Sequence, residues 1–444
     1  MKKICFILFL IFSTWSFSQD KKPTLNFSLQ QAIDYAIVNN RQSINAGKDI
    51  EIAQQKKWET TAMGLPQVNG NLGYQNNFKL QTSLIPAQIF GGPPGEFAEV
   101  TFGTKHNASA SLGLTQLIFD GSYIVALQAS KTYLAFYQNY KKKTDADVRE
   151  MITNSYGSVL LANENEQILQ KNKTILERTL FETEQTFKNG LIEEESVEQL
   201  KITLSEIKNN INYVTRLKEI ALKMLKINLG IAIEDELQVT DKLDDLAKSN
   251  LDFSLKGTEF QVSKNINYLI SENFVSQRSL ELKLQKSKAF PTLAAGLNFG
   301  SNSFGDNFNF FSTNQRWFYY SNLGVNLSVP IFSSFARSSR TQQAKLALEK
   351  AKLDLIDAEQ KLKLQFQNAK SDYDFSIEQY QSYKENLKLA ERIETKQQIK
   401  FKEGLSSSFN LAEAQRQLYS TQQTYLQSML DVISKRANLE KIIN

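Results

Sequence analysis

The chain has 444 residues, with 52 Lys and Arg against 47 Asp and Glu, and a formal charge of +5. So even a balance argues against a polybasic nucleic-acid binder. One histidine and one cysteine leave little from which to build a zinc centre, a disulfide frame or a Cys–His nucleophile.

Lys2 and Lys3 precede an apolar run, Ile4 to Phe12, followed by the small residues Ser16 and Ser18. This pattern predicts a secretory signal peptide over 1–18, too short to span a bilayer as a helix. It takes Cys5 with it. No later stretch is an 18-residue apolar run, so no transmembrane helix is expected. The prolines stand at 23, 66, 86, 93, 94, 291 and 330, leaving 95–290 and 331–444 without any. An interior proline costs a helix about 3 kcal/mol, so both stretches are expected to hold long helices.

From residue 19 the chain reads as two copies of one unit, 19–229 and 261–444, joined by an irregular, centrally acidic segment over 230–260. The first helix opens at Ser28, with Gln31 three residues on in a capping-box pattern. "GLPQVNGNLGY" (Gly64–Tyr74) then matches "AFPTLAAGLNF" (Ala289–Phe299). A loop is expected over 79–106 in the first copy, where "LIPAQIFGGPPGEF" supplies turn residues, and over 302–317 in the second. "LTQLIFDG" (Leu114–Gly121) matches "LSVPIFSS" (Leu327–Ser334). Long helices are expected from Asp120 to Lys188 and from Ser333 to Lys402, each about 100 Å at 1.5 Å per residue. The second carries a coiled-coil seam of Ala344, Leu348, Ala351, Leu355, Ala358 and Leu362. Each long helix meets a break that opens Phe-Lys-x-Gly-Leu, at 187–191 and at 401–406, and a return helix follows.

Four segments alternate apolar and polar residues with period two. Their apolar positions are Val68, Gly70, Leu72 and Tyr74; Ala108, Ala110, Leu112 and Leu114; Leu293, Ala295, Leu297 and Phe299; and Leu323, Val325, Leu327 and Val329. The intervening positions are nearly all Gly, Ser, Asn and Thr, where a soluble sheet would carry Lys and Glu. Aromatics gather at the loop ends: Phe78, Phe299, Phe310, Phe311, Trp317, Phe318, Tyr319 and Tyr320, the composition of an interfacial girdle. Four strands cannot close a barrel, and open edges are not tolerated in lipid. Two copies would give eight strands with a filled interior; three give twelve with a lumen, which the small polar face favours. The expected fold is therefore an α+β membrane protein: a tandem-repeat chain giving four strands to a trimeric 12-stranded outer-membrane barrel, continued by a long coiled-coil α-helical barrel.

Taken in order, Ser28-Leu29-Gln30-Gln31-Ala32, "GLPQV", "QLIFDG", "VPIFSS" and the repeated Gly-Leu break resemble the TolC-like outer-membrane efflux channels, over nearly the whole chain. The resemblance implies a homotrimer in outer-membrane lipid that extends into the periplasm. It would act as a passive exit duct for a tripartite efflux or type I secretion system. Its partners would be a periplasmic adaptor and, through it, an inner-membrane transporter. It implies no enzymatic activity, cofactor or metal. It maps Gly190, Leu191, Gly404, Leu405 and Ser406 onto adaptor-docking tip turns, and Asn410 and Glu413 onto the pore entrance ring. Phe78, Phe299, Trp317, Phe318, Tyr319 and Tyr320 are assigned to the membrane girdle.

The chain departs from the family where Asn410 replaces the usual Asp, Ser406 a basic locking residue, Phe401 a Tyr and Leu117 a Pro. Glu193, Glu194 and Glu195 fit either first-turn acids favoured by the helix dipole or an adaptor-docking or cation-attracting patch. His106 is expected to be exposed and without chemistry. The alternative function is a periplasmic coiled-coil adaptor, which would show one hairpin and lipoyl-like strands instead of two hairpins and strands with aromatic ends.

Overall fold

The computed structural model describes residues 25–251 and 260–443, so the predicted signal peptide lies outside the described residues. In chain order the elements are β1 (Leu25–Phe27), α1 (Leu29–Asn39), α2 (Arg41–Ala62), β2 (Gln67–Asn76), β3 (Thr82–Pro86), β4 (Phe97–Thr101), β5 (His106–Asp120), α3 (Gly121–Lys188), α4 (Glu194–Leu229), β6 (Leu237–Val239), α5 (Leu243–Ser249), α6 (Ile266–Ser287), β7 (Thr292–Gly305), β8 (Trp317–Ser328), α7 (Ala336–Lys402) and α8 (Ser408–Ile443). No described helix is long and apolar enough to cross a membrane. The elements fall into two compact units, to both of which α3 and α7, 68 and 67 residues long, contribute.

Among the described residues the helical unit draws on 25–48, 140–251, 260–269 and 359–443. Ser28 caps α1 as the sequence suggests: its Oγ accepts from the Gln31 amide, and the Gln31 side chain accepts from the Ser28 amide at 3.0 Å. The main core joins Val148, Ile152, Tyr156 and Val159 of α3 to Leu225 and Leu229 of α4, Tyr373 and Ile377 of α7, and Val432 and Ile433 of α8. The tyrosines bury their rings and spend their hydroxyls on backbone carbonyls, one in β1 and one in the connecting segment. Tyr156 donates to the Phe27 carbonyl at 2.9 Å, and Tyr373 to the Asn250 carbonyl at 2.6 Å. The segment expected to be irregular over 230–260 is not wholly so. It holds β6, which pairs in parallel with β1, and α5, because Leu237, Leu243 and Ala247 are drawn into that core.

Two asparagines do matching work in this unit. Asn40 Oδ1 accepts from the amides of Gln42 and Ser43, capping α2, while its Nδ2 donates to the Asn228 carbonyl at 2.6 Å, near the end of α4. Asn265, 225 positions later, accepts from Asn267 and Tyr268 to cap α6, and donates to the Ile442 carbonyl at 2.7 Å, near the end of α8. Each side chain thus satisfies orphan groups at two helix ends at once.

The second unit draws on 49–139 and 270–358. Its antiparallel sheet runs β2-β5-β7-β8. The expected loop 79–106 contains a hairpin, β3 on β4, whose turn uses left-handed Gly91 and Gly95. The expected loop 302–317 is shorter than the sequence suggests. β7 continues to Gly305, and its Asn302 and Ser303 pair with Phe318 and Trp317. The coiled-coil positions Ala344 and Ala351 of α7 are buried here, and Leu362 is buried in the helical unit.

Candidate functional site

Both breaks close in one way. At the end of α3 the Leu191 amide donates to the Thr186 carbonyl at 3.2 Å and the Gly190 amide to the Phe187 carbonyl at 2.8 Å. At the end of α7 the Leu405 amide donates to Lys400 and the Gly404 amide to Phe401, at 2.8 and 3.1 Å. These are Schellman motifs, and Gly190 and Gly404 hold the left-handed φ of 72° that the motif requires. Such a motif often packs the residue after the glycine back onto the helix. Here that residue projects instead: Leu191 is 74% and Leu405 77% exposed. Each turn therefore presents an apolar side chain at its apex.

Past the turns the hairpins differ. Glu194 and Glu195 fall in the first turn of α4, which Glu193 opens without a side-chain cap bond. On α8 Ser407 caps instead, its Oγ accepting from the Asn410 amide at 3.3 Å. Ser406 turns back on its own hairpin, donating to Gln397 Oε1 at 2.9 Å. Asn410 and Glu413 are both exposed, three residues apart and hence on one helix face. Glu413 is ion-paired with Arg416 at 2.5 Å. The sequence reading missed Arg416, although a basic residue at i+3 was visible.

A tie between the hairpins was also missed. Glu182 of α3 meets Lys402 of α7 at 3.1 Å and Arg178 at 2.9 Å. Its carboxyl is held below the ordinary value of 4.5, first by Lys402 and next by Arg178. No local pattern marks a pair 220 positions apart.

On the sheet, the ladder puts all four apolar series on one face. Val68 faces Leu114, Leu112 faces Phe299, and Leu297 faces Leu323. Trp317, opposite Ser303, and Tyr319, opposite Ser301, share that face. Phe318 and Tyr320, also expected in the girdle, do not share it. Strand alternation sends them to the polar face with Asn302 and Gly300, their partners. The Tyr320 ring fills the space a Cβ at Gly300 would take.

Phe299 is on the apolar face but four residues along β7 from Ser303, about 13 Å from the Trp317 level. Phe78 is exposed in the turn after β2. Tyr74, Phe308, Phe310 and Trp317 form a cluster of rings, with Phe310 centred 6.0 Å from Tyr74, 5.6 Å from Phe308 and 6.5 Å from Trp317. His106 stacks on Tyr74 and shares a 2.9 Å hydrogen bond with its hydroxyl. Among the described residues no group of three or more His, Cys, Asp and Glu could hold a metal ion.

Residues 275–444 match the family model described as outer membrane efflux protein. The chain is 21% identical to the outer membrane protein TolC of Vibrio cholerae over 418 residues, 94% of this chain and 90% of that one. Two solved channels share its fold. CusC superposes with a TM-score of 0.75 at 15% identity, covering 95% of this chain and 93% of its own. The CmeC outer membrane channel of Campylobacter jejuni gives 0.73 at 16% identity, covering 96% and 90%. The chain thus matches the outer membrane efflux family over its C-terminal part, resembles TolC along nearly its whole length, and shares the fold of solved outer-membrane channels.

Proposed function

We propose that three copies of the chain form the passive exit duct of a tripartite efflux or type I secretion system. The observation that carries this reading is the sheet. One face is exposed and apolar, the other carries mostly Gly, Ser, Asn and Thr with Phe318 and Tyr320 near one end, and β2 and β8 stand at the sheet's edges. Such a sheet suits lipid on one side and water on the other, and it needs further copies to close into a barrel. The chain would be a tandem duplication, supported by the matched Schellman turns and by the matched Asn40 and Asn265. Its ends would dock a periplasmic adaptor through Leu191 and Leu405, with Gly190, Gly404 and Ser406 shaping the turns. The two hairpins favour this over the adaptor alternative, which needs only one.

At the entrance, Asn410 and Glu413 would line the narrowest ring, with Arg416 offsetting the charge. The Glu182–Lys402 tie would hold the two hairpins together. Partly exposed pairs like this contribute about 0.2–1 kcal/mol each, so the tie acts as a bias and not a lock. The depressed Glu182 value makes the tie intact above the ordinary range of the group and lost as pH falls through the lowered value.

Single-channel recording in planar bilayers tests the reading. Lys402→Gln is expected to raise the open level at pH 7. Acidification below about 4.5 should do the same in the unmodified protein and add little in Lys402→Gln. Glu413→Ala is expected to lower cation preference, because it leaves Arg416 unpaired. No conducting events from purified protein would contradict the duct.

A further inference from the structure

In two adjacent rows of the apolar face the two central strands carry small residues, while the outer strands carry large ones. One ladder row reads Tyr74, Ala108, Ser303, Trp317 and the next Leu72, Ala110, Ser301, Tyr319. The row below, Gly70, Leu112, Phe299, Ser321, puts its large residues in the centre and closes the trench. The result is a slot two strands wide, with about 4.8 Å between strand axes.

Its outer half is already filled. Phe310, 7% exposed, lies between Tyr74 and Trp317, and Ser303 beneath has no exposed surface. The inner half is an open groove of about 720 Å³, lined by Leu72, Ala110, Leu112, Phe299, Ser301 and Tyr319 among others. Ser301 is 8% exposed, and its Oγ has no hydrogen-bond partner. The chain's own loop shows what the slot accepts, a slender apolar group. The unpartnered hydroxyl asks in addition for an acceptor.

We propose that this groove holds the ester end of one acyl chain of a membrane phospholipid, with the Ser301 hydroxyl donating to its ester carbonyl and the rest of the chain running on over Leu112 and Phe299 into the bilayer. The inference rests on the reading of this face as lipid-facing. In hydrocarbon an apolar chain gains nothing hydrophobically by moving from lipid to protein, so preference comes from the filled slot and the hydrogen bond. The single-chain width suits a two-chain lipid, which enters with one chain and leaves the other in the bilayer.

The test uses the full protein carrying Trp58→Phe, which leaves Trp317 on the slot wall as the one tryptophan of residues 19–444. It is reconstituted in ether-linked phosphatidylcholine, which has no ester carbonyl, doped with ester-linked phosphatidylcholine brominated at mid-chain. Quenching of Trp317 is expected to report an ester lipid enriched about three- to tenfold over its bulk share, the size of a hydrogen bond in lipid. Ser301→Ala should remove the enrichment and leave proportional quenching. Proportional quenching in the unmodified protein overturns the groove while sparing the lipid-facing reading; no quenching at any fraction overturns both. If lipopolysaccharide restores emission better than unbrominated ester-linked phosphatidylcholine, the phospholipid assignment falls.

Discussion

Replacing Leu191 and Leu405 together with Asp is expected to abolish export without weakening the fold. Both side chains project from their Schellman turns and belong to neither helical core, so their loss should change stability by no more than about 0.5 kcal/mol. An apex leucine seated in a partner pocket acts as a central apolar anchor. Truncating such anchors typically costs about 2 kcal/mol each, and an unpaired buried carboxylate costs more. Two per copy would weaken adaptor docking by about a thousandfold or beyond. Export of the native cargo from the chain's own host, alongside thermal unfolding of the purified variant, checks both halves. Unchanged export would remove the tips from the docking surface.

Gly230→Ala is the substitution expected to damage the fold most per atom added. Gly230 ends α4 in the left-handed region, at φ 83°. A Cβ there would overlap the carbonyl oxygen of Asn39, and the Asn40 amide nitrogen lies 3.4 Å away. Both neighbours are backbone, held by the Asn40 bond to the Asn228 carbonyl, so neither can give way. The left-handed penalty alone is about 1–2 kcal/mol, and the collision should bring the loss to about 2–4 kcal/mol. Gly190→Ala provides the control. It has a similar φ of 72°, but nothing lies within 4 Å of the added Cβ, so it should lose only about 1 kcal/mol. Thermal unfolding followed by circular dichroism separates the two. Equal losses would show that the Asn39 contact is not rigid.

The sequence speaks most clearly where one residue type serves one geometry. Glycine two residues past the helix end marks both hairpin turns, because few other residues take that φ at low cost. The four long strands show through their period-two alternation, because one face is apolar and the other is not. The girdle is harder to read. Trp317, Phe318, Tyr319 and Tyr320 are consecutive and all aromatic, so composition hides the alternation that sends two of them to each face.

The β3–β4 hairpin and the elements of the connecting segment are short. Partners hold them more than their own propensity does, β1 pairing with β6 and the core taking in Leu243. The Glu182–Lys402 tie and the filled slot under Phe310 depend on side chains that meet only after folding. Asn40 and Asn265 were within reach of the sequence, since the same 225-residue offset relates Pro66 to Pro291. Their double role at two helix ends, however, becomes visible only in three dimensions.

The central claim is that one chain supplies a third of a closed barrel. Single-particle imaging of the full protein, extracted from outer membranes in mild detergent, tests it most directly. The account predicts particles with three-fold symmetry, in which β8 of each copy pairs with β2 of the next around twelve strands. Particles of one chain, with the β2-β5-β7-β8 sheet left open, would contradict it.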